Sequence, residues 1–130
     1  MLCHYWRVPD SAEDRQYRKL IDRLVDGCRG GQGQVGADNV RRGVWNLNAR
    51  ADFLPDQHAR NLLLAGLTTE HREIVAQMLA DAHVGGVHAV LVALNEAEIP
   101  PFDKGYEGDP YHDFIGRLDD WDWPVGEDRF

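Results

Sequence analysis

The side chains able to act as acids, bases or cation ligands crowd into the last third of the chain. Asp109 and Asp113 stand four residues apart with His112 between them, and Asp119 and Asp122 stand three apart. Two carboxylates and an imidazole within a turn of helix can serve general acid–base chemistry. Carboxylates this dense also occur together without any catalytic purpose. The stretch from Asp103 begins like a calcium loop, with Asp103, Gly105, Glu107 and Gly108. It lacks an oxygen ligand at its third position and a glutamate at its twelfth, where Phe114 stands. The six histidines include no His-x-x-x-His pair, and His83 and His88 are five apart. His71 and His88 fall on or near apolar helical faces, where a histidine is more often a hydrogen-bonded core residue than a ligand. No metal and no cofactor are expected.

Nucleophiles are few. Ser11, the only serine, reads as a helix cap. Cys3 and Cys28 belong to no C-x-x-C motif and are expected to be free thiols, Cys28 at the end of a helix, away from the terminus that would lower its pKa. The pattern Gly31-x-Gly33-x-x-Gly36 matches the letters of a dinucleotide fingerprint. That fingerprint requires a buried strand before it and a helix after it. Here an amphipathic helix precedes it, so residues 30–36 read as a flexible loop.

Charge is distributed unevenly. Residues 1–93 hold 11 acidic and 11 basic side chains, whereas residues 94–130 hold 11 acidic and only 3 basic, so the whole net charge of −8 lies in the last 37 residues. An acidic chain is a poor direct ligand for nucleic acid or an anionic membrane. No run of 18 consecutive apolar residues and no secretion leader is visible, so a cytoplasmic location is expected. Trp121 and Trp123 sit within Asp119-Asp120-Trp121-Asp122-Trp123-Pro124. Aromatic rings among carboxylates suit a surface that meets a basic partner, the rings burying area and the charges steering association. The other reading is that both indoles fold back onto the domain and leave a solvated acidic tail.

The elements that must position these residues are helical. Ser11-Ala12-Glu13-Asp14 opens a helix over about 11–28, with Tyr17, Leu20, Ile21, Leu24, Val25 and Cys28 as one apolar stripe. Asp38 is expected to cap a second helix through Val40, Val44, Trp45 and Leu47. Pro55 starts a third that Gly66 closes. From Thr69 the spacing predicts two helices, 69–83 and 86–97, or one helix kinked at Gly85-Gly86, the break turning Val87 and His88 onto the core. Val87 to Leu94 is β-branched enough for a strand, but no partner strand is evident. Pro110 begins a last short helix with Tyr111, Phe114, Ile115 and Leu118 on one side. The fold expected is all-α: a compact bundle of five or six short helices with an acidic, loop-rich C-terminal segment. The chain reads as one domain over 1–130, with a helical core over about 11–97 and the acidic aromatic segment over 98–130.

Two stretches carry a resemblance. Thr69-Glu70-His71-Arg72-Glu73 with Gly86-Val87-His88-Ala89-Val90-Leu91, and Gly105-Tyr106-Glu107-Gly108 through Asp113-Phe114-Ile115-Gly116-Arg117 to Trp121-Asp122-Trp123-Pro124, resemble a group of small bacterial proteins that share a domain of unknown function. The resemblance covers residues 68–124. It implies a bacterial, cytoplasmic, single-domain protein and transfers no catalytic residue.

The function expected is that of a small acidic protein-binding module, an inhibitor of the immunity-protein or antitoxin kind, which blocks a basic surface of a toxin or nucleic-acid-binding enzyme. Its contact residues would be Tyr106, Glu107, Asp109, Asp119, Asp120, Trp121, Asp122 and Trp123. A nucleic-acid-mimicking anti-defence protein fits the same features. The alternative is a small enzyme using the Tyr106–Asp113 loop with His112 as acid and base.

Overall fold

The computed structural model describes residues 10–106 and 108–124. Cys3, Glu107 and the last six residues lie outside them. The described chain is all-α, with helices α1 (Ala12–Arg29), α2 (Gln32–Arg42), α3 (Pro55–Gly66), α4 (Thr69–Glu96) and α5 (Pro110–Leu118). Its contacts divide into two units. One comprises the chain up to Val25 together with His88 onward; the other is the continuous stretch Asp26–Val87.

α1 begins as its sequence directs. The Asp14 N–H donates to Ser11 Oγ at 3.0 Å and the Ser11 N–H donates to Asp14 Oδ2 at 3.3 Å, a reciprocal cap with Asp in the usual Glu position. Tyr17, Ile21, Val25 and Cys28 are its buried stripe. Cys28 is a free thiol whose burial raises its pKa.

In the Asp26–Val87 unit, residues 32–36 of the expected glycine loop are helical, while Gly30 and Gly31 form the turn between α1 and α2. α2 starts at Gln32 and ends at Arg42, so the expected helix from Asp38 to about Asn48 is displaced toward the N-terminus. The cause is a close crossing. A Cβ on Gly33 would lie 2.3 Å from the Gly27 carbonyl oxygen and 2.7 Å from Cys28 Cα, so only glycine lets α2 lie this close to the end of α1. Gly43, at φ 79°, ends α2 in the left-handed region. The following turn is tied by Asn61, whose Oδ1 accepts the Trp45 and Asn46 N–H groups at 2.6 and 3.0 Å. α3 begins at Pro55 as expected, and Arg72 Nε donates to its Leu64 carbonyl at 2.9 Å. Ala37, Val40, Leu64 and Ala76 form the core of this unit, with Trp45, Leu67, Val75 and Leu79 packed against it.

α4 runs 28 residues without a break, so Gly85-Gly86 does not divide it and its helical state over Val87–Leu94 is plain. Glycine weakens a helix but keeps its N–H and C=O, so α4 carries the pair within its hydrogen-bonded ladder. Among the described residues, nothing beyond the adjacent residues and the helix's own backbone comes within 4 Å of the position either glycine's Cβ would take. Among the described residues α4 is the one helix long and apolar enough to cross a membrane, by length and composition.

Candidate functional site

The other unit gathers the C-terminal motifs onto the first half of α1. Pro110, Asp113 and Phe114 of α5 are buried. Asp113, 1% exposed, accepts the Tyr17 hydroxyl at 2.6 Å and the Tyr106 N–H at 2.7 Å, both on Oδ2. Burial, and then the bond to Asp113, push the Tyr17 phenol far above its ordinary pKa. The approach is possible because Gly105 has no side chain: a Cβ there would lie 2.6 Å from Asp113 Oδ2. The Tyr17 ring stacks on Tyr106 at 6.0 Å and meets the edge of Trp123 at 6.0 Å. Arg18 donates to the Tyr106 hydroxyl and to Asp10 Oδ1 and Oδ2 at 2.6 and 2.8 Å. Its guanidinium holds the Asp10 carboxyl below the usual range.

Trp123 is fixed by a second cluster. Its Nε1 donates to Asp22 Oδ2 at 3.0 Å, while Arg117 Nε donates to Asp22 Oδ1 at 2.7 Å. The Arg117 guanidinium lies 5.5 Å from the Trp123 ring centre and also donates to the Trp121 carbonyl. α5 ends in paired turn bonds, Asp120 N–H to Arg117 C=O at 3.1 Å and Trp121 N–H to Gly116 C=O at 2.9 Å, with Asp120 at φ 63°. This is the Schellman pattern with Asp in the left-handed position. It reverses the chain, and Trp121 comes to lie over Gly116, whose Cβ position is 3.4 Å from the indole.

The expected contact residues therefore fall into two groups. Tyr106, Trp121 and Trp123 are half-buried and hold the segment onto α1 and α5, while Asp119, Asp120 and Asp122 are exposed at the rim of this aromatic cluster. Asp109 is half-buried before α5; its Oδ2 lies 3.6 Å from Nδ1 of exposed His112. Glu107 lies outside the described residues. Asp113 is drawn inward to Tyr17 rather than standing beside Asp109 as an acid–base pair. A cleft of about 480 Å³ opens in this unit, lined by Glu13, Asp14, Tyr17, Pro101, Asp103 and Tyr106 among others, and His112 is not part of its wall. Among the described residues no group of three or more His, Cys, Asp or Glu is placed to hold a metal ion.

Asp22 and Tyr17 are what the sequence reading missed. Tyr17 stands in the apolar stripe of α1 and signals only packing. Asp22 lies 95 residues from Arg117 and has no local signature.

These features define a small all-α protein with an acidic surface braced by an aromatic cluster and no metal-binding group among the described residues. The chain belongs to a family of unknown function, DUF6547, whose sequence model matches residues 10–125. No curated protein and no solved structure matches it.

Proposed function

We propose that this protein is a small acidic binding module, of the immunity-protein or antitoxin kind, that covers a basic surface of a partner protein. The observation that carries the reading is the rim Asp119, Asp120 and Asp122. These carboxylates are exposed, yet the backbone beneath them is fixed by the Asp22–Arg117–Trp123 cluster. Charges on a preorganised backbone steer encounter and lose little entropy on binding. The unit that bears them holds 12 acidic and 6 basic side chains among its described residues, a net −6, against 7 and 6 in the Asp26–Val87 unit. A toxin or nucleic-acid enzyme with a cationic cleft is the partner class this surface complements, and a cytoplasmic location goes with the reading. A nucleic-acid mimic would use the same rim. The enzyme alternative draws no support from His112, which is exposed beside Asp109 and outside the cleft.

The test uses paired baits in the source cell: the wild-type chain and Asp119→Asn/Asp120→Asn/Asp122→Asn. A basic partner retained by the wild type, with association slowed by the triple change and by salt, supports the reading. A partner held equally by both baits but lost on changing Arg41 and Arg42 refutes it.

A further inference from the structure

The cleft beside Tyr17 is separate from the acidic rim, for none of Asp119, Asp120 and Asp122 lines it. α1 contributes Glu13, Asp14 and Tyr17 to its lining, and the chain between α4 and α5 contributes Pro100, Pro101, Asp103 and Tyr106. Ring and proline surface thus meets carboxylate in one concavity. Its volume of about 480 Å³ lies within the range of roughly 300–1,000 Å³ typical of pockets that enclose a ligand. The wall carries three carboxylates against one ammonium, that of Lys104. Among the described residues, no hydrogen bond or ion pair joins the side chain of Glu13, Asp103 or Lys104 to another residue.

Both contributing segments are fixed. Asp14 accepts the Ser11 N–H in the α1 cap. Asn95 Nδ2 donates to the Phe102 and Asp103 carbonyls at 3.2 and 3.0 Å, and the Phe102 ring lies 6.2 Å from that of Tyr17. The Tyr106 N–H is held by Asp113. A cleft on a fixed backbone loses little entropy when it is filled. The same unit already sets two guanidiniums against a ring and a carboxylate together: Arg18 with Tyr106 and Asp10, and Arg117 with Trp123 and Asp22.

We infer that this cleft receives one arginine side chain of the basic partner proposed above, on which reading it rests. The aliphatic stem packs on the tyrosine and proline surface while the guanidinium lies among Glu13, Asp14 and Asp103. Arginine suits the cleft better than lysine. Its planar fork can donate to carboxylates from two chain segments at once, and its weaker hydration makes it cheaper to bring against rings and prolines. A neutral or acidic side chain there would leave the three carboxylates without a counter-charge. Lys104 reduces the attraction without cancelling it. The rim and the cleft then act on different rates: the exposed carboxylates of the rim speed approach, and the filled cleft slows departure.

The probe is the peptide acetyl-Gly-Arg-Gly-amide, with citrulline in place of arginine as its uncharged counterpart. Each is titrated into the isotope-labelled full chain and followed by amide chemical shifts, in about 0.15 M salt, where exposed charges beyond roughly 8 Å are screened. The arginine peptide should shift the amides of Gln16, Tyr17, Asp103 and Tyr106 with a Kd on the order of millimolar, and the citrulline peptide should leave them in place. Glu13→Gln/Asp103→Asn should weaken binding about fivefold and Lys104→Gln should strengthen it about twofold. All three positions are exposed, so the fold survives, and Asp14 is kept as the α1 cap. Asp119→Asn/Asp120→Asn/Asp122→Asn should leave the Kd of the peptide within about twofold. Equal binding of the two peptides, a Kd unchanged in Glu13→Gln/Asp103→Asn, or shifts spread evenly over the acidic surface overturns the proposal. Spermidine bound at the same amides at least about tenfold more tightly overturns it in favour of a free polyamine. The titration contains no partner protein and the paired baits vary only the rim, so failure of the cleft and failure of the rim are seen separately.

Discussion

Tyr17→Phe removes one oxygen atom and tests the centre of the C-terminal cluster. The ring keeps its contacts with Phe102, Tyr106 and Trp123. The loss is the 2.6 Å bond to Asp113 inside a region where both residues are buried. A hydrogen bond to a charged group contributes about 1.5–3 kcal/mol, and Asp113 retains the Tyr106 N–H, so a loss of about 2 kcal/mol is expected. With a urea slope of about 1–3 kcal/mol/M, the midpoint should fall by about 1 M. The same group fixes the sign of a pH effect. The folded phenol titrates above its unfolded value of about 10, so its contribution is whole below pH 10 and declines as pH rises beyond it, when the unfolded chain alone releases the proton. Urea midpoints at pH 8 and near pH 10.5 should therefore converge between wild type and Tyr17→Phe. A midpoint unchanged within about 0.2 M at pH 8 would refute the argument that Asp113 is held by Tyr17, as would a gap that widens at the higher pH.

Two backbone crossings give further expectations. Gly33→Ala places a Cβ against the Gly27 and Cys28 backbone and should cost about 2–3 kcal/mol, read as a lowered thermal midpoint. Gly105→Ala sets a methyl against Asp113 Oδ2 and should cost about 1–3 kcal/mol, with the Trp emission of the 121–123 segment shifting to the red as that segment loosens. Asp22→Asn leaves an acceptor for Trp123 but removes the charge facing Arg117; a loss of about 1–2 kcal/mol in chemical denaturation is expected, and Asp22→Ala should exceed it.

Where sequence and structure agree, the cause is local. Ser11 with Asp14, Pro55 and Pro110 each mark a helix start through a cap or a fixed φ that acts within four residues. The misreadings at residues 32–36 and at Gly85-Gly86 start from one premise, that a glycine's intrinsic preference speaks against helix, but that preference is overcome in different ways. α4 carries Gly85-Gly86 within its own hydrogen-bonded ladder, with no distant neighbour among the described residues near either Cβ position. Gly33 is helical because α1 lies against it, and that crossing has no trace in the residues around position 33. The candidate surface was legible as composition, in the carboxylates and indoles of 119–123. What supports it was not, because Tyr17 and Asp22 face α5 only once α1 has folded. The buried role of Asp113 was equally hidden, since by its spacing it is indistinguishable from Asp109.

The interleaved chain path has a consequence for synthesis. The Asp26–Val87 unit is a single uninterrupted stretch, so all of its contacts become available soon after Val87 leaves the ribosome. The other unit is split around it. Tyr17 and Asp22 are made early, and their partners Tyr106, Asp113, Arg117 and Trp123 come some 80–100 residues later. Nascent chains halted before α5 would carry one complete unit and an orphaned half of α1, with the apolar stripe of Tyr17, Ile21 and Val25 lacking its cover. The acidic surface would thus be the last part of the molecule to exist, and a chain that lost its final segment would keep the Asp26–Val87 stretch whole while lacking that surface.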